Sequence, residues 1–572
     1  MAYIKFERQK LILIILNIFS QLEDKKAARN PAGSILNSST AYILACNEIA
    51  DRITMKPKMT TAEISKTLRE ISSSYHLTSI PKNESIIRFL PFDSEYRKTL
   101  MVRPIKTASG VAVVAVMPKP YECPHGRCIY CPGGIEHNTP LSYTGSEPST
   151  RIAQKSNYDS FKQVVYKLHQ LESRGHSISK IEVVIVGGTF PFLPDEYQLE
   201  FVKGCFDALN TFGEKRDLSS TLEQAKKFNE TSESRCVGLT VETKPDYCKR
   251  KQVELLLELG VTRVEIGVQS LRDNVYRTVN RGHTLKDVIE SFQIARDAGC
   301  KIVAHMMPGL PNTTLENDIT DFKTLFYHPS FKPDMIKIYP TLVLEGTGLF
   351  NLYKSGRYNA YTDEDMIKIL IEVKKIVPPW VRIMRVQREI ESSDIRSGPK
   401  CGNLRQLALE ELKKIGLKCK CIRCREVGLQ NGNSYLSGDM VVLNRIDYDA
   451  SDGHEVFLSY ENQDRSVILG FLRLRHTNNP LIKMLKTKDE SGVALVRELH
   501  VYGQAVDVGQ KTGSDKYQHK GFGFCMLNEA ESIVKNEFGI NNLSVISAVG
   551  TREYYRKFGY HQNGPYMTKR LS

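Results

Sequence analysis

Six short apolar, β-branched runs lie between residues 111 and 340, separated by longer stretches with helical periodicity. The runs are VAVVAV (111–116), IEVVIV (181–186), CVGLTV (236–241), RVEIGV (263–268), KIVAHMM (301–307) and MIKIYP (335–340). Apolar residues recurring every three or four positions predict helices over 160–173, 196–209, 251–259, 285–298 and 315–326. A strand that is apolar along its whole length must be covered on both faces, so the pattern predicts a parallel sheet wrapped by helices. Six such units suggest a partial or complete (β/α) barrel, with its chemistry at the C-terminal ends of the strands.

The alternation stops after Trp380. A basic stretch from Arg382 to Arg425 follows, and from about Val441 the chain reads as antiparallel: VVLNRIDY, EVFLSY, SVILGFLRLR and VALVRELHVYG, then a Gly-rich turn, a helix over 524–538 and a final strand, LSVISAV (543–549). The expected fold class is α/β, a barrel joined to an α+β domain by a basic, Cys-rich linker. The expected regions are 1–90, helical and basic; 91–395, the barrel; 396–435, the linker; and 436–572, the second domain. The run LILIILNIF (11–19) follows Lys5, Arg8 and Lys10, but it is short for a membrane span and Asn17 interrupts it. It reads as a buried or partner-facing helix, so no membrane partner is expected and the cytoplasm is the expected location, with the nucleus left open. The net charge of +14, from 79 Lys+Arg against 65 Asp+Glu, favours a polyanionic partner.

Seven of the 13 cysteines belong to two groups, which reads as metal ligation in a reducing compartment rather than as a disulfide framework. Cys123, Cys128 and Cys131 follow the first strand in a C-x4-C-x2-C loop backed by Gly133 and Gly134. Three thiolates from one loop can hold three irons of a cubane cluster and leave the fourth iron open to the amino and carboxylate groups of S-adenosylmethionine. A closed zinc site with His125 as fourth ligand is the alternative. One unit later, Gly187 and Gly188 end a strand where backbone can approach a ligand. Glu242, Lys244, Gln269, His305, Lys337 and Tyr339 also fall at strand ends, where polar groups face a polar cavity or are satisfied at its rim.

In the C-terminal part, Gln518, Gly521 and Gly523 form a Q-x-x-G-x-G pattern between the strand VRELHVYG and a helix. Such a turn makes a nest of amides that binds pyrophosphate, here that of coenzyme A. Tyr554 or Tyr555 could protonate a leaving thiolate, the other serving only in packing. Cys419, Cys421 and Cys424 (KCKCIRCRE) form the second group, with Cys401 as the candidate fourth ligand for zinc and metal-free thiols as the alternative.

Together these motifs resemble the family of Elongator catalytic subunits, the tRNA uridine acetyltransferases, from about residue 90 to the C-terminus. YCPGG, GHSISK, VVIVGGTF, RVEIGVQS, NRGHT, VAHMMPGLPN, KIYPTLV, GNLRQLAL, VRELHVYG, QHKGFG, VGTREYYRKFGY and GPYM carry the resemblance. It implies a radical SAM partial (β/α) barrel and a GNAT acetyltransferase domain. It also implies a reaction in which a 5′-deoxyadenosyl radical takes hydrogen from the methyl of acetyl-CoA, the carbon radical adds to C5 of uridine-34 of tRNA, and thioester hydrolysis leaves a carboxymethyl group. The implied ligands of a [4Fe–4S] cluster are Cys123, Cys128 and Cys131, and those of S-adenosylmethionine are Gly187, Gly188, Glu242, Lys244 and Gln269. Lys180, Glu498, Leu499, His500, Val501, Gln518, Gly521, Phe522, Gly523, Phe524 and Tyr555 are the implied acetyl-CoA contacts. Lys337, Tyr339, Tyr554 and Tyr555 are the implied catalytic residues. The second cysteine group looks like the zinc site of some family members, and Lys418, Lys420, Arg423 and Arg425 beside it would meet tRNA phosphates or form a solvated charge run. The family commonly has arginine where Lys244 stands, so the bidentate fork is lost there. Other Elongator subunits are implied partners in a eukaryote. Competing readings are a protein lysine acetyltransferase with a structural cluster, and a non-catalytic tRNA-binding scaffold.

Overall fold

The computed structural model describes residues 38–91, 94–429, 440–478, 480–482, 492–503 and 521–571. The chain divides into two compact units between Met101 and Val102. In the first, helix Thr61–Ser74 starts in a capping box, where Thr60 and Glu63 each satisfy the other's free backbone donor. Its Ile64, Leu68 and Ile71 recur at helical spacing and bury against Ala45, Ile49 and Ile53 of helix Ser38–Met55. The apolar run 11–19 lies outside the described residues.

In the second unit all six apolar runs are strands: β1 (Ala112–Val116), β2 (Lys180–Ile185), β3 (Arg235–Thr243), β4 (Arg263–Gln269), β5 (Lys301–Met306) and β6 (Met335–Ile338). A seventh, β7 (Arg382–Arg385), opens the basic stretch, within the expected barrel bounds but not among the predicted strands. The seven pair in chain order, every pair parallel, to form a partial barrel.

Side chains alternate faces along a strand, and here the two faces differ in chemistry. Val183, Ile185, Leu239, Val241, Val264, Ile266, Ile302, Ala304, Ile336 and Ile338 bury against the helices. The alternate positions, Glu182, Thr240, Glu242, Arg263, Glu265, Lys301, His305 and Lys337, line the lumen. The central strands are covered on both faces as expected, but the two differ: the outer face is apolar, whereas the inner one sets charged residues among apolar ones such as Ala115, Val184 and Met335. Several helices of this unit start at a threonine N-cap. Thr284, Thr314 and Thr362 each accept a hydrogen bond from an orphan amide of the first turn.

The C-terminal region holds a second seven-stranded sheet. Its strands are β8 (Val441–Ala450), β9 (Gly453–Asn462), β10 (Ile468–Thr477), β11 (Val493–Val501), β12 (Asn542–Ile546), β13 (His561–Asn563) and β14 (Tyr566–Arg570), in the order β8-β9-β10-β11-β12-β14-β13. Two expectations are corrected here. The hairpin β13–β14 follows LSVISAV, which is therefore not the last strand, and β11 pairs with β12 in parallel. That parallel pairing covers only 494–496 against 543–545, so β11 continues to Val501 without β12 beside it. Helix Phe522–Asn536 covers the sheet with Met526, Leu527, Ala530, Ile533 and Val534.

Buried arginines join this sheet to the N-terminal ends of the barrel strands. Arg497 donates to Asp334 at 2.6 and 2.9 Å and to Glu455 at 2.8 Å, and Arg475 donates to Asp297 at 3.1 Å and Glu455 at 3.0 Å. Asp297 and Asp334 lie just ahead of β5 and β6, so the C-terminal sheet closes the bottom of the barrel and leaves the top for the cysteine loop. Among the described residues no helix is long and apolar enough to cross a membrane.

Candidate active site

A cavity of about 760 Å³ opens at the C-terminal ends of the barrel strands. Cys123, Cys128 and Cys131 line it together with Gly187, Gly188, Glu242, Lys244, Gln269, Lys337 and Tyr339, so the structure gathers the predicted cluster, S-adenosylmethionine and cleft residues. A relay of donors converges on Cys128. Lys244 Nζ donates to His125 Nδ1 at 2.8 Å, which leaves the proton on Nε2, and Nε2 donates to Cys128 Sγ at 3.2 Å. The Cys131 thiol, His125 and the buried Arg281 hold Cys128 well below the usual thiol range, whereas burial pushes Cys123 up. Among the described residues, the groups whose ligand atoms all close within 4.8 Å are Cys419–Cys421–Cys424 and Glu242–Glu265–His305. In the Cys123 loop, Cys128 and Cys131 hydrogen-bond to one another, and all three thiols line the one cavity.

Glycine opens this loop's surroundings. A Cβ on Gly282 (φ +74°) would meet His125 Cβ at 2.3 Å. Gly187 (φ +120°) and Gly188 (φ +112°) adopt the left-handed conformations that only glycine takes freely, and Gly187 N–H donates to Glu242 at 3.0 Å. Gln269 Oε1 is buried with no hydrogen-bond partner among the described residues. An orphan acceptor, a carboxylate and a cation around one cavity fit the ammonium and carboxylate ends of S-adenosylmethionine.

Below the cysteines lies a charged layer that the sequence reading only half saw. Glu265, Lys337 and His305 are nearly fully buried. Glu265 is ion-paired to Lys337 and lies 2.9 Å from His305 Nε2. Burial raises the Glu265 carboxyl, but Lys337 and His305 outweigh it and hold it below its ordinary range. Burial likewise lowers Lys337, and Glu265 outweighs that to keep it a cation. Burial raises Tyr339, whose ring meets that of His305 edge-on at 5.3 Å. Arg103, Lys106 and Arg385 are exposed at the rim.

A second cavity, about 280 Å³, lies at the bottom of the barrel, where Glu498, Leu499, His500 and Tyr555 face Arg263 and Lys301. Tyr555 is buried, and Tyr554 beside it is half-exposed with its hydroxyl against Gly523, where a Cβ would meet it at 2.6 Å. Burial pushes Tyr554 up to about 12 and Tyr555 higher still, so both are proton donors at neutral pH. Gly521 (φ +88°) is the N-cap of helix Phe522–Asn536, with Phe522 packed on Tyr460 and Phe524 on Phe558. Lys180 opens β2 and Val501 ends β11, neither lining this cavity, and Gln518 lies outside the described residues.

Comparison with known proteins agrees with this arrangement. Residues 118–323 match the Radical SAM superfamily, 333–414 the Radical_SAM C-terminal domain and 42–108 the ELP3 N-terminal domain. The chain is 45% identical to "Elongator complex protein 3" of Homo sapiens over 522 residues, 89% of this chain and 93% of that one. The chain belongs to the Elongator complex protein 3 family. It is also 44% identical to "tRNA uridine(34) acetyltransferase" of Methanocaldococcus jannaschii over 501 residues, 86% of this chain and 90% of that one. The solved structure of archaeal Methanocaldococcus infernus Elp3, lacking its N-terminus, superposes with a TM-score of 0.71 at 41% identity, covering 81% of this chain and all of that one.

Membership of the Elongator complex protein 3 family, and of the radical SAM superfamily within it, implies a [4Fe–4S] cluster and S-adenosylmethionine. The linker of this family member has a less uniform character than its sequence. Cys419, Cys421 and Cys424 converge, while Cys401 donates to Asn403 Oδ1 at 2.9 Å and stands apart from them. Of the four basic residues beside them, only Lys418 and Lys420 are exposed. Arg425 is buried, donating to Lys420 and Pro379 carbonyls and paired to Glu461 at 2.9 Å, so it is structural rather than a phosphate contact. The sequence reading missed Glu265, Arg281, Arg263 and Lys301. For all but Arg281 the signal was a charge at every second position of an apolar run.

Proposed function

We propose that this chain carboxymethylates C5 of the wobble uridine of tRNA, acting as the catalytic subunit of Elongator with acetyl-CoA as the carbon source. The observation that carries the reading is a pair of cavities at opposite ends of one barrel, the upper lined by the cysteine loop and the lower by Glu498, His500 and Tyr555. The curated relatives named for Elongator and for tRNA uridine(34) acetylation support the same substrate. Cys123, Cys128 and Cys131 would hold the cluster, and Gly187, Gly188, Glu242, Lys244 and Gln269 would hold S-adenosylmethionine. When bound, these two groups supply a radical able to take hydrogen from a methyl group.

This chain's own residues do the rest. Lys337, kept charged by Glu265, is a fixed cation for a uracil carbonyl, and Tyr339 is its protonated neighbour. Tyr555 holds a proton for the leaving thiolate, with Tyr554 next to it. Beyond the helix N-terminus capped by Gly521, the open end of β11 from Glu498 to Val501 offers backbone groups to a pantetheine arm. Arg103, Lys106 and Arg385 at the upper rim would neutralise anticodon phosphates. Cys419, Cys421 and Cys424 suit zinc, because their sulfurs all lie within 4.8 Å of one another and the Cys421 thiol is lowered by hydrogen bonds from Cys419 and Cys424, with Lys374 adding to them.

Anaerobic reconstitution with S-adenosylmethionine, acetyl-CoA and tRNA should give carboxymethyluridine at the wobble position. An intact cluster with no modified nucleoside would reject the reading. Acetylation of protein lysines that survives replacement of all three loop cysteines by Ser would favour a protein acetyltransferase instead.

A further inference from the structure

The two cavities meet inside the barrel: Lys106, Val113, Glu182, Arg263 and Met384 line both. Three of these five are charged; Lys106 is exposed, and the other two make the interior of the crossing polar. Glu182 of β2 and Arg263 of β4 form an ion pair across β3, which lies between their strands. β3 makes room for it, since Gly238 stands opposite Glu182 and a Cβ there would meet Glu182 Cγ at 3.2 Å. Thr240 of β3 fixes the acid by donating to Glu182 Oε1 at 3.0 Å.

Arg263 is left incomplete by this arrangement. It is 7% exposed, and its Nε has no hydrogen-bond partner among the described residues. Its charge interacts with Glu265 above and with Glu498 below, which places it between the two layers. A buried N–H without an acceptor is costly, more so on a charged group, so the position calls for an acceptor from outside the chain. An acetyl thioester brings one carbonyl oxygen and no donor. Bound at the open end of β11, its acetyl end would have to pass Arg263 to reach Lys337 and the cysteine loop.

We propose that the acetyl thioester enters the barrel from below and that Arg263 Nε donates to its carbonyl oxygen at the crossing, with Glu182 and Thr240 holding the guanidinium in place. This rests on the reading that the chain binds acetyl-CoA.

Titration calorimetry of the full chain with substrate tRNA present tests it, comparing CoA with a ketone analogue of acetyl-CoA in which CH2 replaces the sulfur. Arg263→Lys and Arg263→Gln should weaken the ketone analogue about tenfold and CoA less than twofold, as expected for one charged hydrogen bond. Glu182→Gln, which loosens the guanidinium while leaving Nε, should erode the same preference with a smaller effect. Equal losses for both ligands, or no loss for either, would overturn the assignment, and melting curves identify a variant that has merely unfolded, for which Arg263→Lys is the conservative replacement. A wild-type chain that binds neither ligand would instead bring down the acetyl-CoA reading beneath it.

Discussion

At the scale of single residues, the middle of the barrel is governed by one buried carboxylate. Glu265 faces Lys337 and His305 with 1% of its side chain exposed, so each charge is tolerable only because the other is there. Glu265→Gln would strand the Lys337 cation, and denaturant unfolding at pH 7 should show a loss of about 3–5 kcal/mol. The pH dependence has a definite sign. Because the folded carboxyl is held below its ordinary 4.5, its contribution is whole above that value and drains away as pH falls below it. Wild type and variant should therefore converge in acid, and a constant gap from pH 7 to pH 3 would contradict the pairing. The polar strand ends at Glu242, His305 and Lys337 were legible in the sequence because they interrupt or terminate apolar runs. Glu265 and Arg263 were not, since within RVEIGV they look like incidental charges until the strand's period of two sends both into the lumen.

At the scale of elements, six barrel strands and five of the helices between them could be read from periodicity because their outer faces are uniformly apolar. Thr284→Ala should cost about 1 kcal/mol in thermal or denaturant melts, the ordinary value of a lost N-cap. β7 escaped notice because VRIMR offers only two apolar residues between arginines, too few to stand out from the basic stretch around it. The arginines of β10 and β11 escaped for a related reason. In SVILGFLRLR they look like the solvent-facing half of an antiparallel strand, yet Arg473, Arg475 and Arg497 are no more than 1% exposed. Their partners Asp297 and Asp334 are more than a hundred residues away, beyond the reach of any local pattern. Burial raises the Asp334 carboxyl, but Arg497 and Arg473 outweigh it, leaving it below its ordinary 3.8. Asp334→Asn should thus destabilise by about 3–5 kcal/mol at neutral pH, with the deficit shrinking once pH drops below 3.8. Hydrogen exchange should show the loss at β5, β6 and β11 together, because the network ties the two sheets. Exchange confined to β11 would mean that the sheets open separately.

At the scale of the whole molecule, the two cavities belong to one compact unit, and the C-terminal sheet is fastened to the barrel floor by buried ion pairs. That geometry bears on how the two halves must cooperate. If they exchanged a freely diffusing intermediate, a chain disabled at the top and a chain disabled at the bottom would complement each other when mixed. If the acetyl group stays on its carrier and travels inside the barrel, they would not. Cys128→Ser removes a cluster ligand and leaves the lower cavity intact. Tyr555→Phe leaves the cysteine loop intact and removes a proton donor, which general acid catalysis values at about 10²–10⁴ in rate. Each variant alone should form little carboxymethyluridine, the first still binding CoA and the second still taking up iron and sulfide. Their equimolar mixture, measured by nucleoside mass spectrometry of the recovered tRNA, should do no better than the sum of the two. Recovery of product well above that sum would show that the two chemistries communicate through solvent, and would separate what the barrel lumen here joins.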